Sequence, residues 1–379
     1  MFKHTTLKRL GSGVVCFALL IAMVVTSCAS PTATPVPTAT KPPVAQATAT
    51  SAPTPTAAPT ATKAATATPV PSGNITTIRV SNPMVANTAH GKALQDWAKL
   101  VLERSKGQVV IQNFWSSELG TQAAGFEAVR AGTLDVVLGT TGIAASVVKE
   151  FNAVGATYLW DSMDQFYRVL NDPIMDELNK KLEPSGAVAI GAVLAGWKNL
   201  WNVKRPVRTP EDLKGLKLYV VNAKDAIGLF QAAGAQPVNL VFAEMYENMR
   251  TGVADGTDES SGILASSKFY EVAKFYTPLK YYLTISFMYG STKRAAAWPA
   301  GVKDMVFQAA KETFANSAKY EGELYQQGLD NLKKNGVTVT EPDMAAFKAL
   351  AEKEAWPKSR ESAGAEFFDR FMQIAAKYK

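Results

Sequence analysis

Cysteine and histidine are the residues that this sequence has least of. Among 379 residues there are two cysteines, Cys16 and Cys28, and two histidines, His4 and His90. Both cysteines lie in or directly after an apolar N-terminal run, so a disulfide framework in the rest of the chain is excluded. His90 alone cannot build a zinc site of the Cys-His type. We therefore expect neither a metal nor a cofactor.

Signatures of catalysis and of nucleic-acid binding are also absent. A secreted hydrolase needs a nucleophile elbow or a metal cluster, and the sequence contains no Gly-x-Ser-x-Gly. Lys and Arg number 40 against 33 Asp and Glu, but they are not clustered with aromatic residues, so nucleic acid is not an expected partner. With 47% hydrophobic and 19% charged residues the composition is that of a globular protein. We expect a protein that is not an enzyme.

Long hydrophobic runs are scarce in this sequence. After the N-terminal region, no run reaches the roughly 18 apolar residues of a membrane-spanning helix. Near the N-terminus, Lys3, Lys8 and Arg9 precede an apolar run over residues 14–25, which is the layout of a secretory signal. The run ends in Val-Thr-Ser before Cys28, which resembles the bacterial lipobox. We predict a signal peptide over residues 1–27 and a lipid anchor on Cys28. An ordinary signal peptide followed by an incidental cysteine is the alternative.

Residues 29–73 have almost no charge and few residues that could form a core. They are nearly all Pro, Thr, Ala, Ser and Val, with Lys41 and Lys63 as the charged side chains. This composition cannot bury a core, and dense proline favours extended polyproline II. We predict that residues 28–73 are a lipidated cysteine and a disordered tether. The folded part would then lie outside the cytoplasm, anchored to the outer face of the cytoplasmic membrane in a periplasm or at the cell surface.

Short strand and helix patterns alternate from residue 74 onwards. Strand patterns cover residues 78–80, 109–111 and 134–138, and helix patterns cover 93–103 and 126–131 between them. A second alternation runs from 187 to 240, and the chain becomes helical over 302–332 and 343–379. Alternation of this kind predicts an α/β fold with parallel strands, whose ligands bind beyond the carboxyl ends of the strands.

Short motifs, each weak alone, follow one another along the folded part: Lys106-Gly107-Gln108-Val109, Ser117-Glu118-Leu119-Gly120, Ala131-Gly132-Thr133-Leu134-Asp135, Thr209-Pro210-Glu211-Asp212-Leu213-Lys214-Gly215-Leu216-Lys217, Gly234-Ala235-Gln236-Pro237, Phe242-Ala243-Glu244-Met245-Tyr246, Gly252-Val253-Ala254-Asp255-Gly256 and Lys268-Phe269-Tyr270-Glu271-Val272. In this order and spacing they resemble the substrate-binding subunits of tripartite ATP-independent periplasmic (TRAP) transporters, the DctP type. The resemblance extends from residue 81 to the C-terminus.

The resemblance implies a two-lobed fold like that of periplasmic binding proteins, type II-like, with mixed, mostly parallel sheets, hinge strands and a long C-terminal helical region. Lobe I would take residues 74–195 and 285–324, and lobe II residues 196–284 and 325–379. A small organic solute would be captured between the lobes and delivered to the TRAP membrane subunits. An ABC-type or a sensory solute-binding lipoprotein is the alternative, and neighbouring genes would distinguish the transporter types.

The resemblance also implies positions that contact the solute. Where the family has a central Arg that pairs with a substrate carboxylate, this sequence has Tyr219, which supplies no charge. A second basic contact falls at Lys198 and a further ligand position falls on Glu259. We therefore expect a polar neutral or cationic solute. The alternative is an organic acid paired by Lys198, with Tyr219 in the core or at the rim.

Six more residues are candidates for solute contact: Asn222, Phe242, Thr140, Trp160, Trp197 and His90. Asn222 can bond a hydroxyl or carboxyl group, Phe242 can stack on an apolar portion, and Trp197 can form an aromatic wall. For each of the six, a structural role as a turn residue, a packed aromatic or a buried histidine is the alternative. Asp255, Asp258 and Glu259 do not match an EF-hand loop, and no metal is predicted there.

Overall fold

The computed structural model describes residues 75–240, 244–260, 263 and 267–379. The predicted signal peptide, Cys28, the tether and Phe242 therefore lie outside the described residues. Within these ranges, no helix has both the length and the apolar character needed to cross a membrane.

Nine strands of the described residues form one mixed sheet: β1 (Thr76–Ser81), β2 (Val109–Phe114), β3 (Val136–Thr140), β4 (Ala187–Asn202), β5 (Lys217–Tyr219), β6 (Gln236–Val238), β7 (Gly256–Glu259), β8 (Phe275–Ser291) and β9 (Thr338–Val339). Their order is β2-β1-β3-β8-β4-β7-β5-β6, and β9 pairs with β8. β1, β2 and β3 are parallel, and so are β5, β6 and β7. The antiparallel pair β4 and β8 joins these two parallel groups.

Helices cover both faces of the sheet: α1 (Ala89–Arg104), α2 (Gln122–Ala131), α3 (Thr141–Ala145), α4 (Met163–Leu170), α5 (Pro173–Leu182), α6 (Lys224–Ala232), α7 (Met245–Arg250), α8 (Thr292–Ala296), α9 (Val302–Thr313), α10 (Asn316–Lys334), α11 (Met344–Leu350), α12 (Trp356–Ala363) and α13 (Ala365–Lys377). A π-helical turn, Ala351–Ala355, links α11 to α12. Several boundaries follow from local chemistry. Thr88 caps α1 by accepting a hydrogen bond from Gly91 N, and Gly132 ends α2 with a left-handed φ of 81°.

β4 and β8 are long enough to run through both parallel groups, with 16 and 17 residues. They pair from Ala187 opposite Ser291 to Asn202 opposite Phe275. Their register shifts between Leu194 and Trp197 and again between Lys198 and Leu200. Because a bulge bends a strand and increases its twist, β4 and β8 bend at residues 194–200, between the two parallel groups. We call these residues the hinge segment.

The apolar core is divided into four clusters, and each parallel group of strands has two of them. The clusters on the β1–β3 side centre on Phe151 with Phe287 and on Trp97 with Val306. Those on the β5–β7 side include Leu218, Phe230, Tyr281, Trp201, Met245 and Tyr276. Since each side has its own core, the molecule has two lobes. We call them the first lobe (β1–β3) and the second lobe (β5–β7).

The C-terminal helices contact both lobes. Phe347 of α11 lies in a cluster of the second lobe, whereas Phe367 and Phe371 of α13 lie in the cluster around Phe151 in the first lobe. The predicted residue boundaries of the lobes stay a prediction. The packing of α13 favours a first lobe that also takes the end of the chain.

Candidate functional site

A cavity of about 510 Å³ lies where the carboxyl ends of strands from the two lobes face each other. Its wall includes Thr140 and Thr141 at the end of β3, Val221 and Asn222 after β5, Tyr282 of β8 and Ser359 of α12. The carboxyl ends of parallel strands are the usual place for ligands in such sheets, and the volume is that of a small-molecule site. We call this cavity the cleft.

Beside the cleft, Lys198 and Glu259 form an ion pair. The register of β4 and β7 places Asn199 opposite Glu259, so Lys198 at the hinge segment and Glu259 at the end of β7 are brought together. Lys198 Nζ is 2.6 Å from Glu259 Oε1, and the two side chains are only 10% and 16% exposed. Burial alone would lower the pKa of Lys198, but the charges of Glu259 and Asp258 raise it above its ordinary value. The ammonium is therefore held charged and already paired.

Asp258 links this ion pair to the wall of the cleft. Its fully buried carboxyl accepts hydrogen bonds from Val221 N at 2.8 Å and from the Tyr281 hydroxyl. Burial raises the pKa of Asp258 to about 6, and the attraction of Lys198 offsets only part of that effect. Because Val221 itself lines the cleft, a change at Asp258 is transmitted directly to the cleft wall.

Tyr219 ends β5 next to the same ion pair. Its ring packs, partly buried, against the cluster around Trp201. Burial is the main cause that raises the pKa of Tyr219, while the nearby charge of Lys198 opposes it. Tyr219 is therefore a neutral phenol at the place where the family resemblance puts an Arg.

A third carboxyl, from Glu321 of α10, lies at the hinge segment. Gly196 has a left-handed φ of 86°, and the Glu321 carboxyl fills the space that a Cβ at Gly196 would need. Glu321 is 6% exposed, and burial, with the repulsion of Glu259 second, raises its pKa to about 8. We call Lys198, Tyr219, Asp258, Glu259 and Glu321 the hinge cluster.

Of the predicted contact residues that the structure describes, five lie at or beside the cleft. Thr140 and Asn222 line the cleft, and Lys198, Tyr219 and Glu259 belong to the hinge cluster. The predictions that these residues contact a solute stay predictions, but the fold brings them together.

The other three described candidates lie within the packed protein. Trp160 donates from its indole N–H to Val154 O at 2.9 Å and is in the core of the first lobe. Trp197 packs against that core. His90 is buried in the first turn of α1, where neither ring nitrogen has a partner among the described residues. Its burial lowers the pKa of His90 to about 4. The geometry gives these three no position on the cleft wall.

Sequence reasoning missed Thr141, Tyr282, Ser359 and Glu321. Glu321 lies 62 residues after Glu259 in the chain, in a helix whose sequence predicts only an amphipathic pattern. Its position against Gly196 depends on how α10 crosses β4, which no local motif indicates. The tyrosine-rich sequence of β8 was the one signal for aromatic hydroxyls near the hinge.

The profile of the DctP family, bacterial extracellular solute-binding protein family 7, matches residues 81–361. The chain belongs to this family. The 2,3-diketo-L-gulonate-binding periplasmic protein YiaO of Escherichia coli is 29% identical over 256 residues, which cover 67% of this chain and 78% of the relative.

Solved structures of TRAP periplasmic solute-binding proteins resemble this DctP-family protein. The one from Ochrobactrum anthropi is 27% identical, with a TM-score of 0.76, and the match covers 80% of this chain and 96% of that one. The one from Sulfitobacter, with bound β-D-galacturonate, is 26% identical, with a TM-score of 0.70 and coverage of 79% and 99%.

These similarities confirm two of the predictions from the sequence. The relationship to TRAP substrate-binding subunits of the DctP type is confirmed, and so is the two-lobed α/β architecture of the periplasmic-binding-protein kind. The family consists of solute-binding receptors. This DctP-family protein is accordingly a receptor of the TRAP type that captures a small organic solute.

Proposed function

We propose that the solute binds in the cleft, that the lobes close over it, and that the closed receptor delivers it to TRAP membrane subunits without chemical change. The observation that carries this proposal is the cleft of about 510 Å³, with hydroxyl and amide groups from both lobes in its wall. Such a site can surround a small polar molecule from two sides, and contacts to both lobes favour the closed state.

The charges at the cleft support a polar neutral or cationic solute. The family resemblance places a basic contact for a carboxylate at Lys198, but the Lys198 ammonium is paired with Glu259 at 2.6 Å. A solute carboxylate would have to displace Glu259 from Lys198. Tyr219 is uncharged and offers the carboxylate no second positive charge. An organic acid, as in the Sulfitobacter protein, is the alternative, and it would require the ion pair to open.

The N-terminal sequence supports a tethered receptor outside the cytoplasm. We propose that Cys28 carries the lipid and that residues 28–73 hold the folded part away from the outer face of the membrane. An ABC-type or sensory partner would use the same receptor architecture. A receptor for TRAP subunits would depend on ion-coupled membrane proteins encoded nearby, and not on an ATPase.

A thermal-shift screen of the purified full-length protein tests the cleft. Carboxylates, amino acids, polyols, sugars and amines are added singly, since a solute that binds only the folded state raises the melting temperature. We expect Asn222→Ala and Thr140→Ala to weaken the binding of a solute found in this way by about five- to tenfold, the value of one hydrogen bond.

Gln112→Ala is the matched control, because Gln112 is exposed on the outer strand β2 and should leave binding unchanged. The cleft assignment is wrong if all three variants bind the solute as the wild type does. A screen in which no small solute raises the melting temperature would count against the receptor function itself.

A further inference from the structure

The hinge cluster contains more negative than positive groups. It has three carboxyls, from Asp258, Glu259 and Glu321, and one ammonium, from Lys198. Two of the carboxyls already have partners, since Lys198 pairs with Glu259 and Asp258 accepts bonds from Val221 N and the Tyr281 hydroxyl. The third carboxyl, on Glu321, has no hydrogen bond or ion pair to any of the residues that the structure describes. A largely buried carboxyl without a protein partner is uncommon, because burial removes much of its hydration and no protein donor replaces it.

The position of Glu321 gives this lone carboxyl a specific neighbour. It lies against Gly196 at the hinge segment and close enough to Glu259 for repulsion between them to raise its pKa. Tyr219 adds a phenol to the same cluster, and a ring face attracts cations. The cluster thus has a carboxyl without a protein partner beside a second carboxylate, Glu259, and an aromatic ring near that second carboxylate.

We propose, building on the function proposed above, that the hinge cluster is the subsite for a positively charged ammonium group of the solute, with Glu321 and Glu259 as its carboxylate partners. A metal ion is a poorer candidate, because in the part of the chain that the structure describes no three Asp, Glu, His or Cys side chains converge as ligands. An organic ammonium needs only hydrogen-bond acceptors and negative charge, and the cluster provides both.

Binding of an ammonium group should release a proton from Glu321. With a pKa near 8, Glu321 is mostly protonated at pH 7. An approaching cation favours the ionised carboxyl, so the proton passes from the carboxyl to the buffer as the ion pair forms. The charged group that acts on Glu321 is Glu259 on β7. Lys198 on β4 and Tyr219 on β5 lie next to Glu259, and Tyr281 and Tyr282 on β8 lie next to Asp258.

Thermal shifts of the full-length protein with two sets of probes test the subsite. Within each set the carbon skeleton is similar, and the probes differ in being an amine, a neutral molecule or an acid. The first set is 1,4-diaminobutane, 1,4-butanediol and succinate, and the second is glucosamine, glucose and glucuronate. We expect the amine of each set to raise the melting temperature most. Largest shifts from succinate and glucuronate, or equal shifts within each set, would overturn the ammonium subsite while leaving the receptor function standing. No shift with any probe would count against both.

Variants separate the contribution of Glu321 from that of the fold. Glu321→Gln keeps the size of the side chain, and we expect it to weaken the binding of the amine probes about tenfold. We expect the same loss of affinity from Glu259→Gln. Glu323→Gln, at an exposed position of the same helix, is the control and should bind as the wild type does. Calorimetry at pH 7 in phosphate and in Tris should show proton release in the wild type and none in Glu321→Gln. Proton release that persists in Glu321→Gln would contradict the assignment.

Discussion

Gly196 has a conformation and a surrounding that favour glycine strongly. Its φ of 86° is left-handed, which costs a residue with a Cβ about 1–2 kcal/mol. A Cβ at this position would also collide with the carboxyl of Glu321. We expect Gly196→Ala to lower the free energy of unfolding by roughly 2–4 kcal/mol, measured by unfolding in urea.

Two more variants separate the backbone cost at Gly196 from the collision. Glu321→Ala removes the carboxyl, so the double variant with Gly196→Ala should recover part of the loss, with a coupling of about 1 kcal/mol or more. Gly322→Ala is the matched control, since a Cβ there meets open space within α10 and alanine favours a helix by about 0.5–1 kcal/mol. Equal losses from Gly196→Ala and Gly322→Ala would refute the steric argument.

At the scale of elements, Asp135 fastens three elements of the first lobe to one another. Its fully buried carboxylate precedes β3, accepts a hydrogen bond from Arg79 N of β1 at 3.1 Å, and pairs with Arg294 Nε of α8 at 2.8 Å. We expect Asp135→Asn to lower the free energy of unfolding by about 2 kcal/mol, because a buried, charge-assisted acceptor is lost. Glu118→Gln, at an exposed position, should change it by less than about 0.5 kcal/mol. Similar losses in both variants would contradict this role of Asp135.

Periodicity in the sequence predicts the outer elements well and the hinge strands poorly. The helix predicted over 93–103 is α1, Ala89–Arg104, because its apolar stripe and the Thr88 cap are local features. The strand predicted over 187–193 continues to Asn202 as β4. β8 alternates between buried and less buried residues only over 279–285, whereas residues 285–291 are all buried, and Pro278 interrupts the strand pattern near its start.

The candidate site divides in the same way. Lys198 and Glu259 are found from family positions, and their neighbouring strands β4 and β7 bring them together. The position of Glu321 can be predicted only if the path of α10 across β4 is known. That path depends on contacts such as the hydrogen bond from Leu194 N to Ser317 Oγ at 2.9 Å. Such contacts join segments more than 100 residues apart in the chain, so no pattern within a window of sequence indicates them.

At the scale of the whole molecule, the lobes are joined by β4, β8 and α10. α10 contacts the first lobe through Ser317 near Leu194 and the second lobe through Leu332, and Glu321 lies between these contacts at the hinge segment. A solute held by Thr140 of the first lobe and Asn222 of the second would therefore draw both lobes together about this segment. Closure of this kind would be a movement of two preformed cores, with little change inside either.

Hydrogen exchange of the full-length protein tests this closure. With a saturating solute from the thermal screen, we expect slower exchange at both cleft edges, residues 140–145 and 221–226, because closure removes their amides from solvent. Residues 109–114 of β2 lie at the outer edge of the sheet and serve as the internal control, whose exchange should not change. Protection confined to residues 221–226 would mean that the solute binds one lobe without closure. The receptor would then lack the closed state that distinguishes a loaded molecule from an empty one.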